Sequence, residues 1–271
     1  MRGVIGTRAG ADRYFIRIRG RRRTRAMPID PSQVLVGFAV FAGAVVSGFA
    51  GFAFSAVAGA ILLHVLPPRD AVPFMMACSV CLQLVALVSL RSQMQWRRAG
   101  PLVAGGLAGL VPGLWLLERV DVGVFRIGFG VFLAAYAAYM LARPALRSAE
   151  ARPAALLDGV VGLAGGVVGS LTAMPGAVLT IWSDLCGVAK DRQRGCVQPY
   201  IAAMQVAALA LLVSRRGISD ALVGLLVPSL IPLAAGGAVG LALFGSVNER
   251  VFRRAILGAL LVSGLSFFAY R

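Results

Sequence analysis

The chain has 271 residues, of which 59% are apolar and only 14% charged, and its mean hydropathy is +0.83. Soluble domains run at roughly 45–50% apolar and 25% charged, so a water-soluble fold is excluded. The net charge of +16 does not point to nucleic acid, because the cations are nearly all arginine and stand at the ends of apolar runs, where membrane-flanking charge belongs.

Residues 1–33 form a basic tail, whose first 26 residues hold nine arginines from Arg2 to Arg25 against the single acid Asp12. Two readings of it stay open: a polybasic segment lying on an anionic leaflet, or an untranslated stretch ahead of a start at Met27. No short apolar core with a small-residue cleavage site follows it before the first long span, which argues against a secretory signal. Apolar runs then occupy 34–66, 71–90, 99–117 and 122–142, a polar linker takes 143–153, and further runs occupy 155–187, 197–213, 217–244 and 251–270. Stretches of about 20 residues are long enough to cross a hydrocarbon core of about 30 Å as helices. Two-residue alternation is missing, which excludes a barrel. The expectation is an all-α polytopic membrane protein in two homologous halves, 34–142 and 154–271, each of about four helical segments.

The evidence for duplication is local. Gly48, Gly51, Gly59 and Ala60 of the first half parallel Gly162, Gly165, Gly176 and Ala177 of the second, and Gln83 parallels Gln205. The first run of each half is too long for one perpendicular span, and small residues interrupt both: Gly51, Ser55 and Gly59 in one, Gly169, Ser170 and Pro175-Gly176 in the other. The matching interruptions predict discontinuous helices. If each run crossed once, the basic residues after Met27 would divide nine and nine; if each enters and returns, they divide twelve and six, which the positive-inside preference favours. The second arrangement makes the halves inverted repeats and puts both termini outside, against which the basic tail argues.

A broken helix aims free N–H groups and a positive dipole end at its break, which suits an anion. Pro175-Gly176 suits a helix start, and Ser170 and Thr172 stand just before it as hydroxyl donors or as groups back-bonded to their own helix. Lys190 and Arg194 fall in a charged joint, where Arg194 is an anion-attracting or gating candidate. Gln83 and Gln205 inside spans suit either helix-to-helix bonding or substrate contact. His64, Asp70 and Asp184 are the titratable groups nearest the breaks. Cys78 and Cys81 share a helix face and can simply pack, and neither a metal nor a cofactor is expected.

Residues 162–182 followed by 188–194 resemble the second-half signature of the sulfite exporter TauE/SafE family, with Pro175-Gly176 at the helix break and Lys190 and Arg194 at the charged joint. Residues 48–67 and Asp70-Ala71-Val72 are similar to the first-half pattern, although Phe52 to Ser55 replace extra glycines. The resemblance spans about 34–270 and implies a secondary transporter exporting sulfite or an organosulfonate across the bacterial inner membrane, with a small anion and the lipid bilayer as partners. An intramembrane thiol–disulfide carrier and a non-transporting membrane partner are the alternatives. On the transporter reading, substrate contacts come from Gly51, Ser55, Gly59, Gln83, Gly169, Ser170, Thr172, Pro175, Gly176, Lys190, Arg194 and Gln205.

Overall fold

A computed structural model describes residues 31–50, 53–90, 96–142, 155–188, 190–243 and 249–268. Residues 1–30 of the basic tail, Gly51 and the whole of the linker 143–153 lie outside the described residues. Ten helices make up the described chain: α1 Pro31–Ala50, α2 Phe54–Val65, α3 Pro68–Leu90, α4 Trp96–Arg119, α5 Val122–Ala142, α6 Ala155–Thr172, α7 Gly176–Leu185, α8 Lys190–Arg216, α9 Asp220–Leu243 and α10 Glu249–Ser266. Each expected overlong run is two helices, α1 with α2 and α6 with α7. Six of the helices are long and apolar enough to span a bilayer, and in hydrocarbon a helix satisfies its own backbone polar groups.

The ends of the helices follow from local chemistry. Asp121 caps α5 by accepting from the N–H groups of Gly123 at 2.8 Å and Val124 at 3.2 Å. Gly217, at φ 72°, ends α8 with its N–H on the Val213 carbonyl, and the Ser219 hydroxyl oxygen then accepts the Leu222 N–H to start α9. Prolines lie inside α3, α4, α8 and α9, as neighbouring helices permit in membranes. The charged segment from Lys190, expected as a joint, is the first turn of α8: the Gln193 amide donates to the Thr180 carbonyl and to Asp184 Oδ1, holding that turn against α7.

Both broken runs double back. Gly169 lies against Pro175, Gly165 faces Leu179, and Trp182 Nε1 donates to Asp158 Oδ1 at 3.0 Å, so α7 returns along α6 toward the face where α6 began. A methyl on Gly43 would meet the Phe54 carbonyl at 2.9 Å, so α2 likewise returns along α1. The joints then sort by face. Arg69 donates to the Glu118 carbonyl and shares a cavity with Gly217 and Ser219, and His64 reaches Ser266 and Phe267, which gathers four helix ends on one face. Leu102, Asp158, Trp182, Cys186 and Cys196 line a second cavity at the other face.

Helix pairing crosses between the halves: α1 packs on α9, α4 on α6, α3 on α8 and α5 on α10. The α4–α6 and α1–α9 seams are glycine-lined, and there the backbones touch. Gly109 and Gly113 abut the carbonyls of Leu163 and Val167, while Gly236 and Gly240 abut those of Phe41 and Val45. The interior belongs to α3 and α8. In α8, 61% of the apolar window is buried, against 17% in α9, which turns Val227, Ile231 and Leu241 outward to lipid.

Candidate functional site

The two hairpin tips meet. A small cavity, about 30 Å³ of space open to the centre of a water molecule, is lined by Ala53, Phe54 and Ser55 at one tip, by residues 173–177 at the other, and by Ser47, Ser79, Gln83, Tyr136, Ile201 and Gln205 from the surrounding helices. Five elements of the first half and three of the second therefore contribute: α1, the turn before α2, α2, α3 and α5, then the turn before α7, α7 and α8.

Each tip turns on an alanine in the left-handed region, Ala53 at φ 81° and Ala173 at φ 56°, and these are the only non-glycine residues with positive φ among the described residues. The conformation costs an L-residue roughly 1–2 kcal/mol, and such strain persists where surrounding structure over-determines it. At the second tip the surroundings are visible: Ala173 N–H binds the Gly169 carbonyl at 2.8 Å, Gln205 Nε2 donates to the Ala173 carbonyl at 3.3 Å, and the Met174 N–H donates to Thr172 Oγ1 at 3.2 Å. Past each turn a helix begins, α2 with 12 residues and α7 with 10, and both starts belong to the cavity wall. First-turn amides have no acceptor one turn back; here the Ala56 N–H turns to the Ala53 carbonyl and the Ala177 N–H to the Met174 carbonyl, and each helix start still carries a partial positive charge of about one half. None of the described side chains lining the cavity is charged.

Two polar atoms of this wall are buried without a hydrogen-bond partner, Ser55 Oγ and Gln205 Oε1. Ser55 is 3% exposed and Gln205 2%. The amide of Gln205 is oriented by Ala173: its nitrogen must face that carbonyl, since two acceptors would repel, and the oxygen is left over. An unmet buried acceptor or hydroxyl costs roughly 1–3 kcal/mol.

Five of the expected residues line the cavity: Ser55, Gln83, Pro175, Gly176 and Gln205. Four others stand behind it. Gly59 packs under Phe129 and Met75, and Gly169 receives Pro175. The Ser170 hydroxyl lies 2.7 Å from the Gly166 carbonyl and the Thr172 hydroxyl 2.7 Å from that of Val168, so each back-bonds to its own helix. Gly51 and the side chains of Lys190 and Arg194 lie outside the described residues. The titratable candidates are not at the tips. His64 sits at the far end of α2 beside Phe267, with ring centroids 4.1 Å apart, Asp70 is exposed at the start of α3, and Asp184 lies near the end of α7. Cys78 is fully buried in α3, and the four cysteines are free thiols.

Ser47, Ser79 and Tyr136 were not legible as site residues. Ser79 had a signal, because it stands four positions before Gln83 and so shares its helix face. Ser47 and Tyr136 reach the cavity through packing alone.

No curated protein and no solved structure gives a match. The sequence pattern of the sulfite exporters does match, over residues 35–267, a stretch running from α1 through α10. With its interrupted helices meeting at a common cavity in a multi-pass apolar fold, the chain belongs to the sulfite exporter TauE/SafE family of membrane transporters.

Proposed function

We propose that the protein is a secondary transporter that exports a small sulfur oxyanion, sulfite or an organosulfonate, across the bacterial inner membrane, and that the anion binds between the two hairpin tips. The observation that carries this reading is the convergence of two helix starts on one cavity whose wall keeps the Ser55 hydroxyl and the Gln205 amide oxygen unpartnered. Helix starts attract anions. Three serine hydroxyls and the Gln83 amide add donors to an oxyanion's oxygens.

The halves act as inverted copies. Supporting this, Phe41 and Val45 stand as far in sequence from Leu163 and Val167 as Gln83 stands from Gln205, and the first pair meets glycines of α9 as the second meets glycines of α4. Because both first runs return to the face they left, the twelve-to-six division of basic residues applies, and the face bearing the ends of α7 and the starts of α4, α6 and α8 is assigned to the cytoplasm. Exporting one negative charge from an inside-negative cell gains about 2.3 kcal/mol for each ~100 mV, so no coupling ion is required. Lys190 and Arg194, at the cytoplasmic start of α8, would draw the anion in.

The test is efflux from proteoliposomes loaded with sulfite, methanesulfonate or sulfate under a potential negative inside. Sulfite or methanesulfonate should leave faster than from protein-free vesicles, and Ser55→Ala should slow the efflux. Release of all three at the protein-free rate overturns the proposal.

A further inference from the structure

We infer that the cavity selects a singly charged oxyanion that still carries one hydroxyl, so that hydrogen sulfite, rather than the sulfite dianion or a sulfonate, is the species it takes; this rests on the function proposed above. The first observation is the charge of the wall. It holds no charged side chain among the described residues, and its positive character comes from the starts of α2 and α7. Two half-charges total roughly one positive unit, enough to offset one negative charge in a buried site. A second charge would enter with nothing to meet it, at the cost of burying an unpaired ion.

The second observation is the mismatch in hydrogen-bonding sense. An oxyanion supplies only acceptors, and these suit the hydroxyls of Ser47, Ser55 and Ser79 and the amide N–H groups of Gln83. Gln205 Oε1 is an acceptor, held away from the Ala173 carbonyl and without a partner. An anion without a hydroxyl brings lone pairs against that oxygen, whereas a protonated one donates to it and satisfies it. The wall therefore offers several groups that can donate and one buried amide acceptor, Gln205 Oε1, that is fixed in orientation and has no donor, the complement of an oxyanion with one O–H.

The experiment is binding to the purified full-length protein, measured by calorimetry with sulfite, methanesulfonate and sulfate in mildly acidic and mildly alkaline buffers. Methanesulfonate has the charge of hydrogen sulfite without the hydroxyl, and sulfate has no hydroxyl and two charges. Expected are sulfite binding that weakens as the buffer turns alkaline, in step with loss of the protonated monoanion, and a preference over methanesulfonate of roughly tenfold, as one unmet buried acceptor implies. In Gln205→Met, which has no amide oxygen, that preference should fall to near unity, the ratio being read because the variant also loses the bond to the Ala173 carbonyl. Sulfite binding that strengthens in alkali, or equal binding of sulfite and methanesulfonate by the unaltered protein, overturns the inference and leaves the proposed function standing. Absence of binding by any sulfur oxyanion overturns both.

Discussion

Replacing Gly109 by alanine tests whether direct backbone contact between α4 and α6 holds the second hairpin in place. A methyl at Gly109 would run into the Leu163 carbonyl and stand 3.0 Å from the Val167 nitrogen. Restoring a contact of about 3.5 Å requires the two backbones to part by on the order of 1 Å. That separation also loosens Gly105 from Gly159 and Gly113 from Val167 along the same seam. Overpacking of this kind costs about 1–3 kcal/mol, and the better helix propensity of alanine returns at most about 1 kcal/mol. The matched control is Gly128→Ala in α5, where an added methyl meets nothing within 4 Å and only the propensity term acts. Heating each variant in detergent and measuring the surviving monodisperse fraction by size exclusion gives the comparison. Gly109→Ala should melt several degrees lower, at roughly 2–4 °C per kcal/mol for a chain of this size, and Gly128→Ala at or slightly above the unaltered protein. The reasoning fails if Gly109→Ala melts as high as the parent, or if both variants fall together.

Three further outcomes are expected. Ser170→Ala should keep sulfite efflux within about twofold of the parent, because its hydroxyl is bonded to the Gly166 carbonyl; a tenfold loss would place that hydroxyl on the substrate. Thr172→Val removes both the bond to Val168 and the acceptor for the Met174 N–H. It should destabilise the tip by about 1–2 kcal/mol, seen as a lower melting temperature, and an unchanged melting point would show that the turn does not depend on it. In a background without native cysteines, Ser219→Cys and Arg192→Cys should react with a membrane-impermeant maleimide from opposite sides, because Arg192 lies in the first turn of α8 and Ser219 in the joint that follows its last. Asp121→Cys should label from the same side as Ser219→Cys; if it labels with Arg192→Cys instead, each first run crosses once and the re-entrant arrangement is wrong.

Much of this architecture is a direct consequence of composition. Hydrocarbon forbids unpaired backbone groups, so apolar runs of the right length had to be helices, and the eight runs correspond to the ten helices once the overlong first run of each half is broken. The breaks were legible because glycine, proline and serine interrupt both runs at matching places. The partition of those small residues between site and seam was not. Gly48 abuts the Gly237 carbonyl and Gly169 accommodates Pro175, roles defined by a helix on the far side of the contact, and a glycine that lets a backbone approach looks in sequence like one that bends a chain.

Sequence by itself determined that the protein is helical, membrane-embedded and interrupted twice, since these follow from polarity and length along one dimension. It also singled out Gln83 and Gln205, because an amide inside an apolar run is conspicuous wherever it points. Only the tertiary structure decided that α2 and α7 return along α1 and α6, for a break in a helix leaves the direction of the next segment open until Trp182 finds Asp158 and Pro175 finds Gly169. It alone brought the two tips to one cavity, and it alone separated Ser55, whose hydroxyl is left unpartnered there, from Ser170, whose hydroxyl is bonded within its own helix. Whether a buried polar atom is satisfied depends on what packs against it, and that is a property of the fold.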